Sequence, residues 1–298
     1  MTSMSALSPN IYSYLLEQLQ PLVEGLQTIH KAVPVSGGDI NEAYRLDTDV
    51  GPLFLKKNHA RKFPAMFEKE ASGIELLARP GVIRLPKVIW WGEVAEEAFL
   101  VLEFIESATP DSDFTERFGS QLAALHAVKG PYFGLDHDNY IGSLHQANRP
   151  TNSWAEFFVE ERLEPQFEKA FNAGYFHSSQ RREMQRLFEK LDIIFPEEKP
   201  ALVHGDLWGG NYLTSTKGEP VLIDPAVYYG HREMDIAMMH LFGGFHKEVF
   251  YYYHQQYPLM EGWQRRTDLC NMYPLLVHVN LFGGSYAQQL IHSLKYFV

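Results

Sequence analysis

The sequence predicts an α+β chain in two parts: a small antiparallel sheet carrying one key helix, then a larger, mostly helical part. Three observations carry this. Between residues 33 and 105, apolar residues alternate in short runs broken by glycine and proline, the mark of strands and turns. Within that stretch, residues 64–78 switch to helical spacing. Beyond ESATPDSD (106–113), helical spacing dominates, with short strands around His204. The expected division is therefore 1–105 and 106–298, and 298 residues suffice for two such parts.

Ser8–Pro9 reads as a cap followed by proline at the first helical position. Ile11, Leu15, Leu19 and Leu22 then recur at helical spacing, so a helix is expected to about residue 28. VPVSGGDINEAYRLDT (33–48) reads as two strands around a glycine turn, and GPLFLKKN (51–58) as a third. The helix at 64–78 follows, then strands in VIWWGEV (88–94) and AFLVLEFI (98–105). Phe114, Phe118, Leu122 and Leu125 space the next helix. Residues 154–173 and 179–195 read as two more, and helices return from about residue 232 to the end.

Bulk properties exclude several classes. The chain is 45% hydrophobic and 21% charged, ordinary for a globular protein. Its formal charge of −11, without basic clusters, argues against nucleic acid and against an anionic membrane surface. One cysteine, Cys270, allows no internal disulfide and no all-cysteine zinc site. No signal peptide or transmembrane run is visible, and a cytoplasmic location is expected. The thirteen histidines form no HExxH pair.

The stretch HGDLWGGNYL (204–213), then TSTKGEP and VLIDP (221–225), carries the chemistry. Tyr212–Leu213 and Val221–Ile223 flank a turn and read as a hairpin, with Asn211 and Asp224 at its open end. Two oxygen donors on a rigid hairpin suit a hard cation, since magnesium takes one or two protein oxygens and completes its shell with water and phosphate. Asp206 precedes Asn211 by five positions, placed to accept a proton from an attacking hydroxyl. This Asp-x-x-x-x-Asn pattern with a later metal-binding Asp is that of a kinase catalytic loop. Gly205 replaces the arginine, and Pro225–Ala226 the Phe-Gly, of the protein-kinase version, which points away from protein kinases. Asp and Asn are also ordinary turn residues. It is the joint order, in strand context, that favours chemistry.

A phosphoryl-transfer site also needs a strand lysine held by a helix glutamate. GPLFLKKN offers Lys56 and Lys57 on opposite faces. On the helix, Phe67, Ile74 and Leu77 form an apolar stripe that contains Glu70 but not Glu68 or Glu75. A carboxylate on a buried face needs a partner, so Glu70 and Lys56 are the expected pair. Lys57, Glu68 and Glu75 read as surface charge. The turn 36–41, with Gly37 and Gly38, is a candidate phosphate cover; adjacent glycines also make plain hairpin turns. Residues 102–105, with Glu103 and Ile105, are placed by position as the link that meets adenine.

With these motifs in place, the sequence resembles the fructosamine kinase (ketosamine kinase) family, within the kinase-like superfamily that includes aminoglycoside and choline kinases. The resemblance runs through FLKKN (54–58), FEKEASGIELL (67–77), YFGLDHDNYIGSLHQANRPTNSWAEFFVEERL (132–163), HGDLWGGNYL, GHREMDIAMM (230–239) and HVNLFGGSYAQQL near the end. It implies a bilobal protein-kinase-like fold, ATP and magnesium as cofactors, and phosphorylation of the 3-hydroxyl of a ketosamine, free or on a protein lysine, as a deglycation repair. Carried over, Asp206 is the base, Asn211 and Asp224 hold magnesium, and Lys56 with Glu70 positions phosphate. Asp235 and His204 brace the catalytic loop. Trp208 either stacks on the sugar or packs as an ordinary aromatic. Some members carry a redox-linked cysteine in the phosphate loop; here the sole cysteine is Cys270, which reads as inert and buried. Two rival readings stand beside this one: another small-molecule kinase of the fold, and a non-catalytic nucleotide-binding module. A panel of ketosamines, aminoglycosides and choline separates the first. ATP binding without transfer to any of them supports the second.

Overall fold

The structure is a computed structural model that describes residues 7–35 and 40–298. Gly37 and Gly38, the expected phosphate cover, lie outside the described residues. The chain divides into two compact units. The first is Met1–Asp111 with Leu213–Asp224, and the second is Ser112–Tyr212 with Pro225–Val298. The first unit thus extends a few residues past 105 and takes back a short later segment. That segment bonds to it by backbone: Ser107 bridges Ser215, and Arg84 bridges Val221.

In the first unit, α1 (Pro9–Leu19) starts as its cap signals indicate: the Ile11 N–H donates to Ser8 Oγ at 3.4 Å. It stops well before residue 28. Pro21 has no N–H to give and its ring blocks the carbonyl four residues back, and Gly25 turns the chain at φ 81°. Leu22 is correspondingly exposed. Strands β1 (Ile29–Pro34), β2 (Glu42–Thr48) and β3 (Gly51–His59) follow, then α2 (Met66–Ala78), β4 (Val88–Val94) and β5 (Glu97–Glu103). The sheet order is β1-β2-β3-β5-β4, with every pairing antiparallel.

Strand alternation sorts β3 between two layers. Leu53 and Leu55 join Ile11, Leu15 and Leu19 of α1 in one core. The opposite parity, Lys56 and Asn58, faces α2, where the Asn58 amide reaches Met66 Sδ. Helix α2 buries Met66, Phe67, Ala71, Ile74 and Leu77.

The second unit opens with α3 (Phe114–Ala127), then a small hairpin, β6 (Asn139–Ile141) and β7 (Leu144–Gln146), that no sequence pattern predicts. The expected helix at 154–173 is one run in three pieces: α4 (Trp154–Phe157), a π-helical turn (Phe158–Leu163) and α5 (Glu164–Asn172). Pro165 cannot donate into the ladder, and the helix widens just before it. The expected helix at 179–195 likewise splits, into α6 (Ser178–Phe188) and α7 (Leu191–Ile194). Strand β8 (Ala201–Val203) precedes the catalytic-loop motif. Strands β9 (Tyr212–Thr214) and β10 (Pro220–Leu222), in the segment that belongs to the first unit, pair as the expected hairpin; back in the second unit, β11 (Tyr228–Gly230) pairs antiparallel with β8. Helices α8 (Glu233–Phe242), α9 (Lys247–Gln256), α10 (Trp263–Cys270), α11 (Met272–Phe282) and α12 (Ser285–Leu294) complete the chain. Among the described residues, no helix is long and apolar enough to cross a membrane. Cys270 is fully buried, and burial pushes its thiol well above the ordinary range, so it is unreactive.

The second unit depends on close approach of α3 to α9. A Cβ on Gly119 would sit 2.4 Å from the Val249 carbonyl oxygen and 2.8 Å from the Tyr252 Cβ. Helix propensity alone favours alanine over glycine by about 1 kcal/mol. A clash with backbone cannot be relieved by a rotamer change, and overpacking of this kind costs about 1–3 kcal/mol. Gly119→Ala is therefore expected to lower the urea midpoint; an equal or higher midpoint contradicts this account of the contact.

Candidate active site

In the first unit, the alternation that turns Lys56 toward α2 brings it against Glu70. Lys56 Nζ lies 2.6 Å from Glu70 Oε1 and 2.6 Å from Asp224 Oδ1. The expected Lys56–Glu70 pair is thus present, and Asp224 joins it from the far end of the β9–β10 hairpin. Burial works against the ammonium, but the charges of Asp224 and Glu70 outweigh it and raise the Lys56 pKa. Burial, with Asp224 nearby, raises Glu70 despite the Lys56 contact. One cation shared by two carboxylates leaves a net negative charge. Asp224 is its exposed member, with 39% of its side chain accessible. Its backbone sits in the left-handed region at φ 54°, rare outside glycine and a form of strain that collects at functional sites.

Lys57 corrects the surface reading. It is only 8% exposed, lies opposite Glu42 in the β2–β3 register, and pairs with Glu97 at 2.7 Å. The burial comes from its place mid-sheet, which the adjacent charged pair in the sequence hides. Glu68 and Glu75 are exposed, as expected. Glu103 ends β5; its N–H donates to the Lys87 carbonyl, and its carboxylate accepts from Arg84 at 2.7 Å. Ile105 is buried just beyond.

In the second unit, buried β8 delivers His204-Gly205-Asp206. Gly205 has φ 83°, and a Cβ there would lie 2.1 Å from the Ala226 carbonyl oxygen. Both facts require glycine where protein kinases place arginine. Asp235, 1% exposed, clamps the loop: one oxygen accepts the His204 N–H at 2.7 Å, the other the Gly205 N–H at 2.9 Å. His126 Nε2 lies 3.1 Å from the same carboxylate, and Tyr253 contacts His126 Nδ1. Burial would raise Asp235, but the His126 bond and charge, the His204 charge and the Gly205 N–H together hold it below the ordinary carboxylate range. The Asp206 N–H donates to His204 Nδ1.

Asn211, 5% exposed, spends its amide Nδ2 on Asp206, donating to the backbone carbonyl at 2.8 Å and to Oδ2 at 3.0 Å. Its side-chain oxygen takes no part in these two bonds. Asp224 is accessible beside surplus negative charge. Each residue offers an oxygen donor of the type magnesium takes, and magnesium needs only one or two protein oxygens. Among the described residues, no three His, Cys, Asp or Glu side chains converge on a metal site. Trp208 is 42% exposed, and its ring occupies the space a Cβ on Gly210 would need.

A buried polar network behind this loop has no counterpart among the sequence-based expectations. Gln146 donates to the Ala226 carbonyl and to Asn139 Oδ1, and accepts from Tyr273. Burial, with the charge of Asp206 adding, keeps Tyr273 a neutral donor, its pKa pushed up to about 12. Arg162, fully buried, donates to Asn148 Oδ1 and lies 4.1 Å over the Tyr228 ring. The only available signal was the motif stretch 132–163 itself, whose amides gave no hint of their partners.

Comparisons with known proteins bear on the whole chain. The family model described as Fructosamine kinase matches residues 13–298. A "probable ketoamine kinase" of Synechocystis sp. is 40% identical, covering 97% of each chain. A crystal structure of a candidate fructosamine-3-kinase from Thermobifida fusca is 34% identical, covers 94% of this chain and 97% of its own, and has a TM-score of 0.85. An ethanolamine kinase of Plasmodium vivax, 12% identical over 95% of this chain and 86% of its own, has a TM-score of 0.57 and shows the protein-kinase-like fold alone.

Asp235 offers a test of the loop clamp. A depressed carboxylate stabilises the fold fully above its unfolded pKa of about 4, and this stabilisation is lost as pH falls through the lower folded value. Asp235→Asn is expected to cost about 2–4 kcal/mol in urea unfolding at neutral pH, with the deficit shrinking below about pH 4. A deficit that does not change with pH contradicts the assigned charge.

Proposed function

The chain belongs to the fructosamine kinase family, and from that premise we propose that it transfers the γ-phosphate of ATP to the 3-hydroxyl of a ketosamine. Fructosyl and ribulosyl adducts of amines or protein lysines are the substrate class, and release of the phosphorylated adduct makes this a deglycation activity. The observation that carries the reading is the Asp206 loop: a carboxylate oriented by Asn211, on a loop held by Asp235. Cytoplasm suits a chain whose single cysteine is a buried thiol.

In this reading the ketosamine hydroxyl oxygen bonds to the γ-phosphorus as the bond to the bridging oxygen breaks and ADP leaves. Asp206 orients the hydroxyl and takes its proton as the new bond forms, because a sugar alcohol is too weak an acid to ionise first. The Asn211 amide fixes the plane of that carboxylate. Lys56, kept cationic and held by Glu70, binds phosphate oxygens as a positioned charge. The backbone of Glu103 and Ile105 meets adenine. Trp208 offers an exposed ring to the sugar. Asn211 and Asp224 are the residues that would hold magnesium, which would supply positive charge to the phosphates.

The test is ATP turnover with a synthetic fructosyl-amine and a ribulosyl-amine, reading phosphate position by NMR, in wild type and Asp206→Asn. Wild type is expected to form the 3-phosphate, and the variant to lose turnover by about 10²–10⁴-fold while still binding nucleotide. Phosphate on another hydroxyl or on no ketosamine, or near-normal turnover in the variant, refutes the assignment.

A further inference from the structure

Besides the Ser107–Ser215 bridge and the Lys56–Asp224 contact, the hairpin that ends in Asp224 is held to the first unit by a residue on the connection between α2 and β4. The Arg84 carbonyl accepts the Leu222 N–H at 3.0 Å, and Arg84 forms a parallel bridge with Val221. Its guanidinium reaches both ways. Nη1 donates to Glu219 Oε2 in the hairpin turn at 2.9 Å, and Nη2 to Glu103 Oε1 at the end of β5 at 2.7 Å. Glu103 is in turn pinned to Lys87 by two backbone contacts, its own N–H to the Lys87 carbonyl and the Lys87 N–H to its carboxylate. Arg84 therefore joins the strand end that leads to residues 104 and 105 to the hairpin that carries Asp224.

A planar guanidinium presents N–H donors along its edges at fixed angles, so it can hold two carboxylates at once; an ammonium is a single point and holds them loosely. Glu103 and Glu219 carry like charges, and without Arg84 they repel across the gap that it fills. No catalytic chemistry requires an arginine here, and the side chain is one-third exposed, so packing does not explain it.

We infer that Arg84 is a positioning residue for nucleotide and cation: it sets the Asp224 hairpin against the segment that meets adenine, so that both ends of a bound nucleotide are held in register. This rests on the kinase reading above. It makes Arg84, Glu103 and Glu219 one unit in which loss of any member weakens nucleotide binding and leaves the ketosamine untouched.

The test is calorimetric binding of magnesium–ATP, with steady-state kinetics, for wild type, Arg84→Met, Arg84→Lys, Glu219→Gln and the Arg84→Met/Glu219→Gln double variant. Arg84→Met is expected to weaken nucleotide binding and raise KM for ATP by about fivefold or more, with KM for ketosamine unchanged. Arg84→Lys is expected to recover part of the loss, and Glu219→Gln to add little on top of Arg84→Met. A merely structural arginine would lower melting temperature and kcat while leaving nucleotide affinity in place; that result overturns the inference. So does full affinity in both variants. Wild type that binds no ATP would sink the kinase reading itself, and this inference with it, whereas wild type that binds and an indistinguishable Arg84→Met sink this inference alone.

Discussion

Lys56 is a cation almost without water, 5% exposed, and it stays charged because two carboxylates meet it at 2.6 Å. Desolvating an ammonium costs several kcal/mol, and only well-placed partners offset it. The partners come from separate elements: Glu70 lies 14 residues along the chain, Asp224 168 residues along. The contact thus ties β3, α2 and the β9–β10 hairpin together. It also leaves one negative charge unmatched at the accessible member of the trio. A compact divalent cation and a polyphosphate are ligands whose charges such a trio can exchange. In the proposed function Lys56 would hold phosphate oxygens and Asp224 a divalent cation, so both charges of the contact would stay partnered.

The Asp206 loop obeys a different constraint. Its geometry is set by backbone, through a glycine that must be glycine and a carboxylate that collects two successive N–H groups. The charge of Asp235 serves the loop and faces no solvent. Asp206 follows directly on the backbone N–H groups that this buried carboxylate holds. Behind them, Gln146 and Tyr273 fix the Ala226 carbonyl, the same atom that forbids a side chain at Gly205. The two carboxylates Asp206 and Asp224 therefore rest on supports of unlike kind, one an amide clamp and the other an ion cluster.

Much of this was legible in the sequence because it is local. Strand alternation separated Lys56 from Lys57, and a helical stripe singled out Glu70 over Glu68 and Glu75. The order Asp206, Asn211, turn, Asp224 gave the hairpin. What stayed hidden was non-local or conformational. The burial of Lys57 depends on cross-strand neighbours Glu42 and Glu97, and nothing adjacent to it in the chain signals them. The stop of α1 near Pro21 was a breaker outvoted by apolar spacing. The β6–β7 hairpin spends short strands on polar amides whose partners lie 80 and 127 residues away, and no periodicity can show that. The Arg84 bridge is hidden for the same reason.

The central claim is that the charge left over at Lys56, Glu70 and Asp224 is met by a cation that arrives with the nucleotide. The most direct measurement is calorimetric titration of ATP into wild type and Asp224→Ala, each with and without magnesium. The account expects magnesium to tighten ATP binding by about tenfold or more in wild type and to do little in Asp224→Ala. An equal magnesium-dependent gain in both proteins would contradict it.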